Sequence, residues 1–156
     1  MSQPDAFLTR VAQSGRLRVS VRSICLHGGA LLVQRHADDP ASYYAFIGGG
    51  LETGERMEDR IRSEYREETG RDVTGARYLF VVENRVRTPA GILHSLEHYF
   101  QVELDSYDVR SREAHLVQCW LPVGELSAYD VRPRVVRDAI IDGSWETRRH
   151  LVTPFA

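Results

Sequence analysis

Glu64, Glu67 and Glu68 stand at i, i+3 and i+4. On a helix, at about 100° per residue, that spacing fans three carboxylates over roughly a quarter to a third of the circumference. Left alone they repel one another, so the crowding is stable only with positive charge among them. Mg²⁺ suits such a place, because it takes oxygen ligands and binds a few carboxylates together with substrate phosphates and waters. Just upstream, Gly48, Gly49 and Gly50 leave a bare backbone that can approach a ligand closely and lend a carbonyl to a metal shell. The plainer alternative is a solvated charged helix, with Arg56, Arg60, Arg62 and Arg66 offsetting the glutamates.

Hydrophobic periodicity predicts the elements that carry these residues. Over residues 16–22, Leu17, Val19 and Val21 alternate with Arg16, Arg18, Ser20 and Arg22, as in a half-buried strand. His27-Gly28-Gly29 is a turn signal, and "ALLVQR" after it is a second, more apolar strand, so the two are expected to form a hairpin. "DDPAS" predicts a loop, and "YYAFI" a short aromatic strand running into the glycines. From residue 55 to 69 the period changes: Met57, Ile61 and Tyr65 make one apolar stripe of an amphipathic helix, and Gly70 ends it. Downstream, "RYLFVVENRV" and "GILHSLEHYFQVEL" are strands joined by a turn at "RTPAG". The second of these sets Ile92, Leu96, Phe100, Val102 and Leu104 on one face and Ser95, Glu97, Gln101 and Glu103 on a polar one. "HLVQCWLPV" is a further strand, and residues 133–141 fit a short helix with proline in its first turn. The tail "SWETRRHLVTPFA" follows none of these patterns. The fold expected is α+β, a mixed β-sheet between helices.

At 156 residues the chain is expected to form one domain over 1–156. Its 42% apolar and 27% charged residues are ordinary for a globular protein, and no run approaches the roughly 18 apolar residues that would span a membrane. "MSQPDAFLTR" lacks the pattern of a signal peptide, which leads us to expect a cytoplasmic protein. Cys25 and Cys119 lie far apart and outside any C-x-x-C pair, so each is expected to be a small apolar residue in a strand. A net charge of −2, with Arg far outnumbering Lys, gives no general pull toward nucleic acid.

The glycines and glutamates together resemble the Nudix hydrolase signature, G-x5-E-x7-R-E-U-x-E-E-x-G-U, in which U is bulky and apolar. Gly49, Glu55, Glu64, Tyr65, Glu67, Glu68 and Gly70 match, seven of nine fixed positions, which makes the long gapped pattern specific enough to outweigh the solvated-helix alternative. Flanking stretches, "CWLPVGEL" and "DVRP", resemble later parts of the family, so the likeness covers most of residues 17–142. Ser63 stands where the family carries arginine, Arg71 where it carries an apolar residue, and Ile47 where proline usually precedes the glycines. Arg60, one turn before Glu64 on the same face, is expected to substitute in part for the missing arginine as a brace.

The resemblance implies hydrolysis of a phosphoanhydride in a nucleoside diphosphate linked to another group, with Mg²⁺ or Mn²⁺ held by Glu64, Glu67, Glu68 and the Gly48 carbonyl. Glu67 is the first candidate for general base, Glu97 the candidate outside the motif, and Glu55 a support for the site. Glu97 reads more readily as an ordinary exposed strand glutamate. Arg35, Arg85 and Arg87 could meet phosphates, and Tyr43, Tyr44 or Phe46 could stack on a base. His94 and His98 are expected in core or cleft. No subgroup marker downstream of the motif matches, which leaves a nucleoside triphosphate or a nucleotide sugar as the small-molecule partner. A homodimer is kept open. The rivals are a nucleotide-binding module of the same fold that has lost hydrolysis and, less favoured, an isomerase.

Overall fold

The computed structural model describes residues 3–39 and 43–155. The chain opens with α1 (Gln3–Ser14) and enters β1 (Arg18–Ile24), then β2 (Leu26–His27), β3 (Ala30–His36), β4 (Tyr44–Ala45) and β5 (Gly48–Gly50). Next come α2 (Met57–Thr69), the long β6 (Val73–Thr88) and β7 (Gly91–Leu104), then β8 (Leu116–Pro122), β9 (Val131–Arg132), α3 (Arg134–Ile141) and β10 (His150–Val152). One sheet runs β10-β6-β7-β1-β5; the other runs β2-β3-β4-β9, with β8 also paired to β3. The first sheet is mixed, because β1 is parallel to β7 but antiparallel to β5.

Apolar side chains fill both sides of the first sheet. On one side Val21, Phe100 and Val102 pack with Ile61 and Tyr65 of α2. On the other, Phe80, Val82 and Tyr99 join Leu31 and Val33 of the second sheet and Val136 and Ile140 of α3. The α2 stripe lies where its period places it, with Ile61 and Tyr65 fully buried, and Gly70 closes the helix in the left-handed region at φ 71°, donating its amide to the Arg66 carbonyl. The β6–β7 hairpin turns at Pro89 and Ala90, also as expected.

The hairpin expected between the first two strands does not form. β1 is central in the first sheet, and only Leu26–His27 turns back onto β3, over Gly28 and Gly29. The strict alternation over 16–22 fails with it: Leu17 is exposed, while Ser20 and Ser23 are buried beside Val21 and Ile24. A central strand is covered on both faces, and Ser23 tolerates burial because its hydroxyl donates to the Ile47 carbonyl at 2.9 Å. The N-terminal helix and β10 lay outside the sequence reading; β10 comes from the unassigned tail and pairs in parallel with Val81, Val82 and Glu83 of β6.

Candidate active site

The three glycines form a strand. A Cβ on Gly48 would collide with the Val21 carbonyl of β1, and one on Gly49 would collide with the Glu64 carboxylate. None of the three has positive φ, so what they supply is missing bulk. Gly48 lets β5 lie against β1. Gly49 lets the helix carboxylate reach the strand.

Around that contact the charges are ordered. Arg60 Nη2 donates to Glu55 Oε2 at 2.7 Å and its Nη1 to Glu64 Oε1 at 3.2 Å, so one guanidinium joins the start of the motif to its middle. Glu55 also accepts from the Glu52 amide at 2.9 Å, and these donors, Arg60 first, hold its carboxyl below the usual range. Arg22 donates to the Phe46 and Gly48 carbonyls at 3.4 and 3.2 Å.

Glu68 is buried, and its Oε2 has no hydrogen-bond partner. Burial first, then the neighbouring Glu64 carboxylate, push its carboxyl up to about 8, with Arg22 easing it slightly. An orphaned buried carboxylate oxygen beside a second carboxylate, with the Gly48 carbonyl on the neighbouring strand, is an oxygen donor set that fits a hard divalent cation. Glu67, one face over, is exposed and has no partner among the described residues. As the side chains stand, the described residues hold no group of three His, Cys, Asp or Glu already converged on one point, so Glu67 would have to turn inward to complete the set.

Glu97 is 6% exposed, which corrects the exposed-glutamate reading of its strand face. Asn84 Nδ2 and Ser95 Oγ donate to its Oε2 at 2.7 and 3.1 Å, and Tyr99 donates to Oε1 at 3.0 Å. Its register partner is Ser20, so it shares a face with Arg18 and Arg22 of β1. Both arginines were visible in the sequence as the polar side of β1. That this side looks into the site depends on the pairing of β1 with β5 and β7, which no local pattern carries.

The structure sets the other substrate candidates apart. Phe46 is 1% exposed and packs edge-on against Tyr99 at 5.4 Å, which removes it as a surface for a base. Tyr44 is half-buried against Tyr129 at 5.8 Å, and Tyr43 lies under Arg132 at 4.4 Å. Arg35 donates to the His36 carbonyl in the second sheet. Arg85 and Arg87 both lie over the Phe155 ring, at 4.8 and 4.3 Å, and the Arg85 amide donates to Thr153 Oγ1, so these two hold the C-terminal tail. His98 Nδ1 is 3.0 Å from the Tyr78 hydroxyl, and burial holds its pKa below the usual imidazole value.

The α+β layering lays a glutamate-bearing helix across a glycine strand, with the buried Glu68 carboxyl beside Glu64. The NUDIX domain family matches residues 16–139, and the chain belongs to that family. A nucleoside triphosphatase NudI of Escherichia fergusonii is 43% identical over 58 residues, 35% of this chain and 41% of that protein. The chain thus spans about two fifths of the length of the first curated relatives it matches. A NudI of Escherichia coli O81 is 29% identical over 126 residues, 74% of this chain and 89% of that protein. Among solved structures, a MutT protein from Methanosarcina mazei superposes with a TM-score of 0.66 at 17% identity, over 85% of this chain and 96% of the other. A NUDIX hydrolase from Nitrosomonas europaea gives 0.64 at 19% identity, over 86% and 93%. At such identities these two speak for the fold.

Proposed function

We propose that the chain is a divalent-metal-dependent hydrolase of a phosphoanhydride bond in a nucleoside diphosphate linked to a further group, with nucleoside triphosphates the favoured substrates. One observation carries this reading: the buried, unpartnered Glu68 oxygen pressed against Glu64, an arrangement that is costly unless a cation is meant to enter it. The NudI relatives, named as nucleoside triphosphatases, favour the triphosphate over the nucleotide sugar.

Glu64, Glu67, Glu68 and the Gly48 carbonyl would hold Mg²⁺ or Mn²⁺. When bound, the ion supplies Lewis-acid polarisation of the phosphoryl group and neutralises charge on the leaving phosphate. The residues do the rest. Of these glutamates, Glu67, exposed and without a partner among the described residues, is the first candidate to take the proton of the attacking water as that oxygen bonds to phosphorus and the bridging P–O bond breaks. Glu97, held by three donors, is the alternative base; the donors that fix its position also use both of its oxygens. Arg60 keeps Glu64 turned toward Gly49.

The test is incubation of the purified chain with a panel of nucleoside triphosphates and nucleotide sugars and Mg²⁺ or Mn²⁺, with nucleotide and phosphate products resolved by chromatography. Turnover that Glu67→Gln lowers by orders of magnitude, with the thermal melt unchanged, is the expected result. Tight binding without product across the panel would instead support the non-catalytic binding module.

A further inference from the structure

α1 lies outside the 16–139 match to the family, yet it is built into the molecule. Its Ala12 is 5% exposed, and the Ala12 carbonyl occupies the space a Cβ on Gly91 would need, at a residue whose φ of 136° already calls for glycine. Docked there, α1 forms the outer wall of a cleft of about 520 Å³, within the roughly 300–1,000 Å³ range of small-molecule sites. Phe7 and Val11 of α1 line it with Arg18 of β1, Gly50 and Leu51 of the motif strand and loop, and Glu64 of α2. One end of this cleft therefore reaches Glu64, the member of the candidate metal site that is among its lining residues.

Arg18 stands between the two ends. Its guanidinium lies 5.1 Å from the centre of the Phe7 ring, and among the described residues it makes no side-chain hydrogen bond or ion pair. Gly50 leaves room for it, since a Cβ there would stand 3.2 Å from Nη2. Burying a guanidinium beside Arg22, with Glu97 and Glu64 attracting it from a distance, costs solvation that a single ring contact returns only in part. A fork of unused donors next to a phosphate-handling site fits a phosphate group, which it can bind through two parallel hydrogen bonds. Beyond it, Phe7 is 41% exposed and offers a flat apolar surface.

We propose that this cleft is the subsite for the nucleoside end of the substrate, with Arg18 gripping the adjacent phosphate and Phe7 supporting the base. The proposal rests on the hydrolase reading above for the position of the reacting phosphate, but binding tests it separately from turnover. Calorimetry would measure the affinity of the whole chain, in Mg²⁺, for a nucleoside triphosphate analogue with methylene-bridged phosphates and for inorganic tripolyphosphate. Phe7→Ala is expected to weaken the analogue about tenfold, as loss of one base-stacking ring does, and to leave tripolyphosphate within about twofold. Arg18→Gln is expected to weaken both about tenfold, and Phe7→Tyr to behave as the parent. With a hydrolysed substrate, Phe7→Ala should raise KM far more than it lowers kcat. An analogue bound equally well by the parent and by both Phe7→Ala and Arg18→Gln, each shown folded by its melting curve, would overturn the subsite. So would failure of the parent to bind any analogue. A parent that binds the analogue through Phe7 and Arg18 but turns over nothing would sink the hydrolase reading and leave the subsite standing.

Discussion

Arg60 and Glu64, one helical turn apart, meet at 3.2 Å immediately beside Ser63, the position where the family motif carries an arginine. The same Arg60 side chain reaches Glu55 at 2.7 Å, so the positive charge missing at residue 63 is supplied from the preceding turn of the same helix.

Removing Arg60 should therefore do what removing the family arginine would do. Arg60→Ala frees Glu64 to rotate and leaves Glu55 without its strongest donor. Partners that orient a metal ligand are worth roughly 10–100-fold in metal affinity or activity. We expect a loss in that range, read as Mg²⁺ affinity by calorimetry and as turnover on the best nucleotide. Ser63→Arg alone should change little, because the brace is already in place, while Arg60→Ala with Ser63→Arg should recover part of the loss. Full Mg²⁺ affinity in Arg60→Ala would show that Glu64 needs no brace.

Gly48 and Gly49 should separate stability from function. Gly48→Ala drives a Cβ into the β1 backbone, which cannot yield without parting β5 from β1, so the chain should lose stability by about 1–3 kcal/mol or more. Gly49→Ala instead meets the end of the Glu64 side chain, which can swing away. That variant should keep most of its melting temperature and lose metal affinity and turnover together. Equal losses of stability in the two variants would contradict the steric account.

α2 was legible because Met57, Ile61 and Tyr65 repeat at the helical period and Gly70 is a local stop signal; both are properties of a short window. The site glutamates came with it. What escaped the sequence reading depends on pairing between distant segments. In the sequence the glycines read as room for a ligand, whereas the space they leave is filled by Val21 and Glu64. Glu97 alternates with apolar residues like any surface glutamate, and only Asn84, Ser95 and Tyr99 around it make its burial tolerable. Arg18 and Arg22 had the same ambiguity. α1 carries Phe7, Leu8, Val11 and Ala12 at helical spacing, a signal as local as that of α2, but its docking against Gly91 depends on contact between distant segments.

The turn before α3 should weaken in acid. Asp130 accepts from Arg132 at 2.9 and 3.2 Å and from Arg134 at 3.4 Å, and these, Arg132 first, hold its carboxyl below the usual carboxylate range. With the folded pKa lower than the unfolded one, the contribution is present above the unfolded value, about 3.9, and is lost as pH falls through the folded value. Asp130 is 39% exposed, so the effect should be small and reduced by salt. Asp130→Asn should melt slightly below the parent at neutral pH, with the gap narrowing as pH falls below about 4. A gap that is constant across that range would mean that ionisation of Asp130 contributes nothing.

The link that seats α2 on β1 is a buried pair of hydroxyls, Tyr65 and Ser23, 2.7 Å apart. Ser23 gives its single proton to the Ile47 carbonyl, so Tyr65 must be the donor between them. Tyr65→Phe removes that donor and leaves the Ser23–Ile47 bond, at an expected cost of about 1 kcal/mol. Ser23→Ala strands a fully buried phenol, which should cost about 2–3 kcal/mol, because an unpaired buried donor loses its whole solvation. Combining the two removes the stranded group, so the double variant should be no less stable than Ser23→Ala alone, a non-additivity that denaturant melts of the four proteins would read directly. Since the same helix carries Glu64 and Glu68 to Gly49, Ser23→Ala should also weaken Mg²⁺ binding, and Tyr65→Phe should do so less. Strict additivity of the two stability changes would show that the hydroxyls do not act as a pair.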